Sequence, residues 1–97
     1  MPKLVHIFHR FEFKEAVEAI LDRQGIDSFV RLPMAEGRDK DGKHHGSQVF
    51  PGNMSLVQAL VEDERVEDLL EELRRFKQSR PAHEHLRVAV VAVERTL

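Results

Sequence analysis

Residues 54–76 read MSLVQALVEDERVEDLLEELRRF, and the hydrophobic period changes halfway along them. Over residues 54–62, Val57, Ala59 and Val61 alternate with Leu56, Gln58 and Leu60, the two-residue period of a β-strand. From Asp63 onward the apolar positions are Val66, Leu69, Leu70, Leu73 and Phe76, spaced by three and four as on one stripe of an amphipathic helix. Asp63 is the expected N-cap. Glu62, Asp63, Glu64 and Glu67 gather at the start and Arg74, Arg75, Lys77 and Arg80 at the end, complementing the helix dipole. Pro81 ends the helix.

Working outward, residues 3–9 (KLVHIFH) repeat the strand pattern, with Val5 and Ile7 opposing Leu4, His6 and Phe8. A second helix is expected from Phe13, with Ala16, Val17, Ile20 and Leu21 completing its stripe and Gly25 as its stop. Two more extended segments lie at 27–34 and 86–94, rich in β-branched and aromatic residues. The order strand–helix–strand–strand–helix–strand, in one domain spanning 1–97, predicts an α+β, ferredoxin-like βαββαβ sandwich. Its antiparallel four-stranded sheet carries both helices on one face.

That geometry leaves one sheet face uncovered. Leu4 and Phe8, Leu56 and Leu60, and one set of the last strand's Val and Ala residues fall there, interrupted by His6, Gln58 and, on this reading, Arg31. Monomers rarely leave such a surface in water. A second copy of the chain is the expected cover. A lid formed by the connection at 35–53 is the weaker alternative, because that stretch is polar and glycine-rich.

Composition narrows the function. The chain has 97 residues and a formal net charge of −2, which gives no general reason to bind nucleic acid. With no cysteine, disulfides, thiolate metal sites and thiol catalysis are excluded. The longest apolar run, 88–93, is too short to span a membrane. No stretch reads as a signal peptide, so a cytoplasmic location is expected.

The connection AEGRDKDGKHHGSQVFPGN (35–53) holds four of the five glycines and shows neither period. Unpatterned segments of this length are usually functional or disordered. Residues 37–46 are the expected mobile tip, while Val49, Phe50 and Pro51 suggest that the distal part packs. The run from Gly37 to His44 nearly spells a phosphate-binding loop, but lacks the hydroxyl after Lys43 and a following helix. Six histidines are the compositional oddity. In an extended segment His83 and His85 would point the same way and, with His44 or His45, could hold Cu, Zn or Ni. His6 is read as a hydrogen-bonding residue between subunits. Nothing assembles a nucleophile, a base and an oxyanion hole, so no enzyme is expected.

The element order, the loop exit GSQVFPGN (46–53), VEDERVEDLLEELRRF (61–76) and VAVVAVERTL (88–97) together resemble the PII signalling proteins of nitrogen regulation and their PII-like relatives, including the CutA cation-tolerance group. The resemblance implies a homotrimer with its sheets lining the three-fold interior. It implies small-effector sites in clefts between subunits, walled by the long loop (T-loop) and the turn before the last strand (B-loop). Arg38, Lys43, Gly46, Ser47 and Gln48 of the loop, with Arg80 and Arg87 beside the turn, would then bind the ligand, a nucleotide being one candidate. The ordered loop would dock on a target protein such as a transporter, enzyme or regulator. A CutA-like reading instead makes His44, His45, His83 and His85 the ligands of a divalent metal. Residues 79–85 contain no glycine, the chain has no tyrosine, and it stops at Leu97. These departures from the PII pattern argue against ATP in the usual PII mode.

Overall fold

The computed structural model describes residues 1–35, 37–39, 42–44 and 54–97, and of those between 34 and 44 the backbone alone. Strand β1 (Lys3–Arg10) leads through a 3-10 turn (Phe11–Phe13) into helix α1 (Lys14–Arg23). Strand β2 (Val30–Ala35) follows, then two short strands, β3 (Gly37–Asp39) and β4 (Gly42–His44). Strand β5 (Met54–Val61) feeds helix α2 (Asp63–Ser79), and a 3-10 turn (Pro81–His83) precedes β6 (Arg87–Ala92). The main sheet has the order β2-β5-β1-β6 with antiparallel pairing throughout. This is the expected α+β ferredoxin-like arrangement.

The two expected strand sets separate as the period demands. Val5 and Ile7 of β1 and Val57, Ala59 and Val61 of β5 face the helices and are buried. Val17, Ile20 and Leu21 of α1 and Val66, Leu69 and Leu73 of α2 meet them, with Ile26 and Leu86 closing the ends. Burying one such side chain contributes roughly 1.5–3 kcal/mol. The helices are also joined at the surface, where Arg23 Nε and Gln24 Nε2 each donate to the Glu72 carboxylate at 2.7 Å. Partial burial pushes the Glu72 pKa up, but these donors outweigh it and hold the carboxyl below its usual value.

Helix α1 ends in a Schellman motif. Gly25 N–H donates to Asp22 O at 3.1 Å and Ile26 N–H to Leu21 O at 2.9 Å, with Gly25 at φ +73°. Four sequence expectations need correction. Glu62, not Asp63, is the N-cap of α2, and its side chain makes no cap bond. The second and last main strands are shorter than 27–34 and 86–94. Part of the connection read as unpatterned forms a hairpin in which Gly37 pairs with His44, Arg38 with Lys43 and Asp39 with Gly42. Each of these strands is only three residues long, too short for an alternation to show in the sequence. Finally, Arg31 lies opposite Val57, on the helix-covered face rather than the open one. The β2 register slips between Leu32 and Ala35, where Pro33 cannot donate to the ladder.

Candidate functional site

The open sheet face is built in three rungs fixed by the strand register. Leu60, Leu4 and Val91 form one, Val30, Gln58, His6 and Ala89 the next, and Leu32, Leu56, Phe8 and Arg87 the third. Val30 is 60% exposed, Leu60 54%, Leu32 46% and Val91 45%, so four large aliphatic side chains face outward from one chain. The middle rung carries the polar pair His6–Gln58, as the alternation required. The Arg87 guanidinium sits 5.8 Å from the centre of the Phe8 ring, a cation–π contact on this face.

The turn before β6 is not the extended segment that would align His83 with His85. Residues Pro81–His83 form a 3-10 turn, and Glu84 continues it in the right-handed helical region. Pro81 sets this by starting a helical turn immediately after Arg80. His83 is consequently buried, its ring stacked on Phe76 at 3.9 Å and edge-on to Phe13 at 4.6 Å. Its Nδ1 lies 2.7 Å from Phe76 O, leaving the ring committed to the C-terminal end of α2. His85 is half-buried, with Nε2 3.6 Å from Glu84 Oε1. No group of three or more His, Asp or Glu side chains suited to a metal occurs among the described residues. The metal set expected of His83 and His85 therefore loses its structural premise, while His44 contributes only a described backbone and His45 lies outside the described residues.

The expected ligand-binding set falls only in part on described residues. Arg38 and Lys43 are partners across the β3–β4 hairpin. Gly46, Ser47 and Gln48, and the apolar Val49, Phe50 and Pro51, lie outside the described residues. Arg80 is exposed between α2 and the 3-10 turn, and Arg87 is exposed at the start of β6. A shallow groove of about 320 Å³, lined by Leu70, Leu73, Arg74, Lys77, Leu86 and Val88, contains none of these residues.

A polar corner beneath α1 escaped the sequence reading. His9 and Ser55 are direct partners across β1 and β5, on the helix-covered face, and are 1% and 0% exposed. Arg31, opposite Val57, is the neighbour of Ser55 on that face. Arg31 Nη1 donates to Glu18 of α1, and the guanidinium also lies 5.5 Å from the Phe29 ring centre. The Glu18 pKa is lowered, chiefly by that bond from Arg31. His9 Nδ1 lies 2.7 Å from Arg10 O. Burial, the largest influence, lowers the His9 pKa, and Arg31 lowers it further. His9 Nε2, Ser55 Oγ and both Nε and Nη2 of Arg31 are buried without hydrogen-bond partners among the described residues. The signal was present in the alternation, because His9 continues the series Val5, Ile7 into the core.

No protein-family model matches this chain, and no curated protein matches its sequence. Solved structures do match. CPII, a nitrogen regulatory PII-like protein from Thiomonas intermedia K12, solved bound to ADP, AMP and bicarbonate, superposes with a TM-score of 0.75 at 22% identity, covering 93% of this chain and 89% of that one. A candidate PII-like signalling protein from Thermus thermophilus gives 0.65 at 18% identity, over 92% and 82% of the two chains. A DUF3240 family protein from Shewanella baltica gives 0.74 at 11% identity, over 98% and 92%. The element order, the four-stranded register and these superpositions agree: the chain has the fold of the nitrogen regulatory PII-like proteins.

Proposed function

We propose that this protein is a PII-like effector sensor, a non-catalytic cytoplasmic homotrimer that binds a small ligand in clefts between subunits and signals to a partner protein through loop 35–53. The observation that carries the reading is the open apolar face, on a fold shared with a protein solved bound to ADP, AMP and bicarbonate. A face with Leu60, Leu32, Val30 and Val91 outward is costly in water, and a symmetric arrangement of copies removes it. Assembly would bring Arg80 and Arg87 of one copy toward a neighbour's loop, which carries Arg38 and Lys43 as backbone partners in the hairpin. The exposed Arg80 and Arg87 suit a phosphorylated or carboxylate effector. No helix among the described residues is long and apolar enough to cross a membrane.

The test has two stages. Light scattering at micromolar concentration should give three times the chain mass, and a monomer would remove the cleft altogether. Calorimetry with ADP, AMP and bicarbonate, alone and together, should then show saturable binding that Arg87→Ala weakens. A trimer that binds none of these would reject the adenine-nucleotide and bicarbonate class.

A further inference from the structure

Arg31 divides its guanidinium between two tasks. Nη1 is given to Glu18, while Nε and Nη2, the side-on edge that matches two oxygens of a planar oxyanion, are buried and unpartnered among the described residues. On the same face the register brings Ser55 beside His9, whose side chains stand roughly 5 Å apart at Cβ in such a pair. Buried polar groups left unsatisfied are costly, and an occupant that pairs them removes that cost.

The chemistry of the donors specifies it. Arg31 offers two parallel N–H groups, and Ser55 a hydroxyl that donates or accepts. His9, held neutral by burial and with Nδ1–H given to Arg10 O, presents Nε2 as an acceptor. Arg31 is already balanced by Glu18, which disfavours a dianion. We propose that Arg31, Ser55 and His9 form an oxyanion site within each subunit for a small oxyacid monoanion that retains at least one O–H, of the bicarbonate or dihydrogen phosphate class. Two unprotonated oxygens would rest on the Arg31 edge, and the protonated oxygen would accept from Ser55 Oγ and donate its O–H to His9 Nε2. The site rests on the register of β1, β2 and β5 and is independent of the oligomeric state and of the inter-subunit clefts.

The groups facing His9 are Arg31 of β2, Glu18 of α1 and Ser55 of β5, so a bound monoanion becomes the dominant new charge at its ring. The experiment is nitrogen-15 NMR of the histidine rings in the wild-type protein, titrated with sodium bicarbonate or phosphate against sodium chloride at equal ionic strength. The expected result is a saturable shift confined to His9 Nε2, with its pKa rising on binding. Acetate, which has two oxygens but no O–H at neutral pH, should bind more weakly than bicarbonate. Arg31→Lys removes the bidentate edge and should weaken binding roughly tenfold to a hundredfold, the equivalent of one charge-assisted hydrogen bond. Unchanged His9 resonances at saturating bicarbonate and phosphate would overturn the proposal and leave the corner to ordered water only. Equal affinity in the folded Arg31→Lys variant would overturn it as well.

Discussion

The His83 ring lies flat on the Phe76 ring, 3.9 Å between centres and 10° between planes, while His83 Nδ1 meets Phe76 O at 2.7 Å. One side chain thus bonds the residue it stacks on by both ring and backbone. Ser79 Oγ donates to the same carbonyl at 2.7 Å, so the last turn of α2 is closed by two side chains rather than by a glycine. Phe13, edge-on to both rings, ties the start of α1 to this corner.

Replacing His83 separates the two contributions. His83→Phe keeps the stacked ring but loses the cap, and should lower stability by about 1 kcal/mol. His83→Ala also loses the stack and opens a cavity, and should cost about 3 kcal/mol. Denaturant unfolding with an unchanged slope checks both, and equal losses in the two variants would contradict the division.

Gly25 is required by conformation, and the tip of the Arg65 side chain lies against it. At φ +73°, a Cβ would stand 2.5 Å from Arg65 Nη2, which itself donates to Gln24 O at 2.9 Å. Gly25→Ala should therefore destabilise by roughly 1–2 kcal/mol from backbone strain, with a further loss as Arg65 moves. Combining it with Arg65→Ala should recover the part due to crowding, measured as a double-mutant cycle.

Stability should fall with acid in a window set by His9. Its folded pKa lies below the unfolded value of 6.5, so the unfolded chain binds the proton more readily. The stabilisation from a neutral His9 is complete above that value. It declines as the pH drops below it, until His9 also titrates in the folded state. Chemical unfolding at a series of pH values should show this slope in the wild type and lose it in His9→Phe. A slope of the opposite sign would contradict the assignment.

Leu60→Lys and Val91→Lys place charge where the isolated chain is already open to water. Each should change the stability of a single subunit by no more than about 0.5 kcal/mol. Both should shift the mass measured by light scattering from trimer toward monomer. An unaltered mass would show that the Leu60–Leu4–Val91 rung is not an interface.

The sheet was readable because its period of two survives in nearly every strand: Val5 and Ile7, then Val57, Ala59 and Val61, fall where the alternation puts them. Arg31 departs from the expectation because a charged residue suits an open face, whereas its pairing opposite Val57 puts it on the helix-covered one. The alignment of His83 with His85 presupposes an extended segment just before the last strand. Pro81 decided otherwise by initiating a 3-10 turn. The corner around His9 stayed hidden for a different reason. A histidine inside an apolar series looks like an interruption, and only the register shows that Ser55 and Arg31, from two other strands, share its side of the sheet.

The polar pair His6–Gln58, between the Leu60–Leu4–Val91 rung and the rung of Leu32, Leu56, Phe8 and Arg87, has a consequence for recognition between copies. A uniformly greasy surface can slide against its mate with little penalty, whereas an imidazole beside a carboxamide must find a hydrogen-bonding counterpart when dried. Only docking angles that bring one such band against another satisfy it, so two residues at the centre of the sheet would set the handedness and symmetry with which neighbours meet.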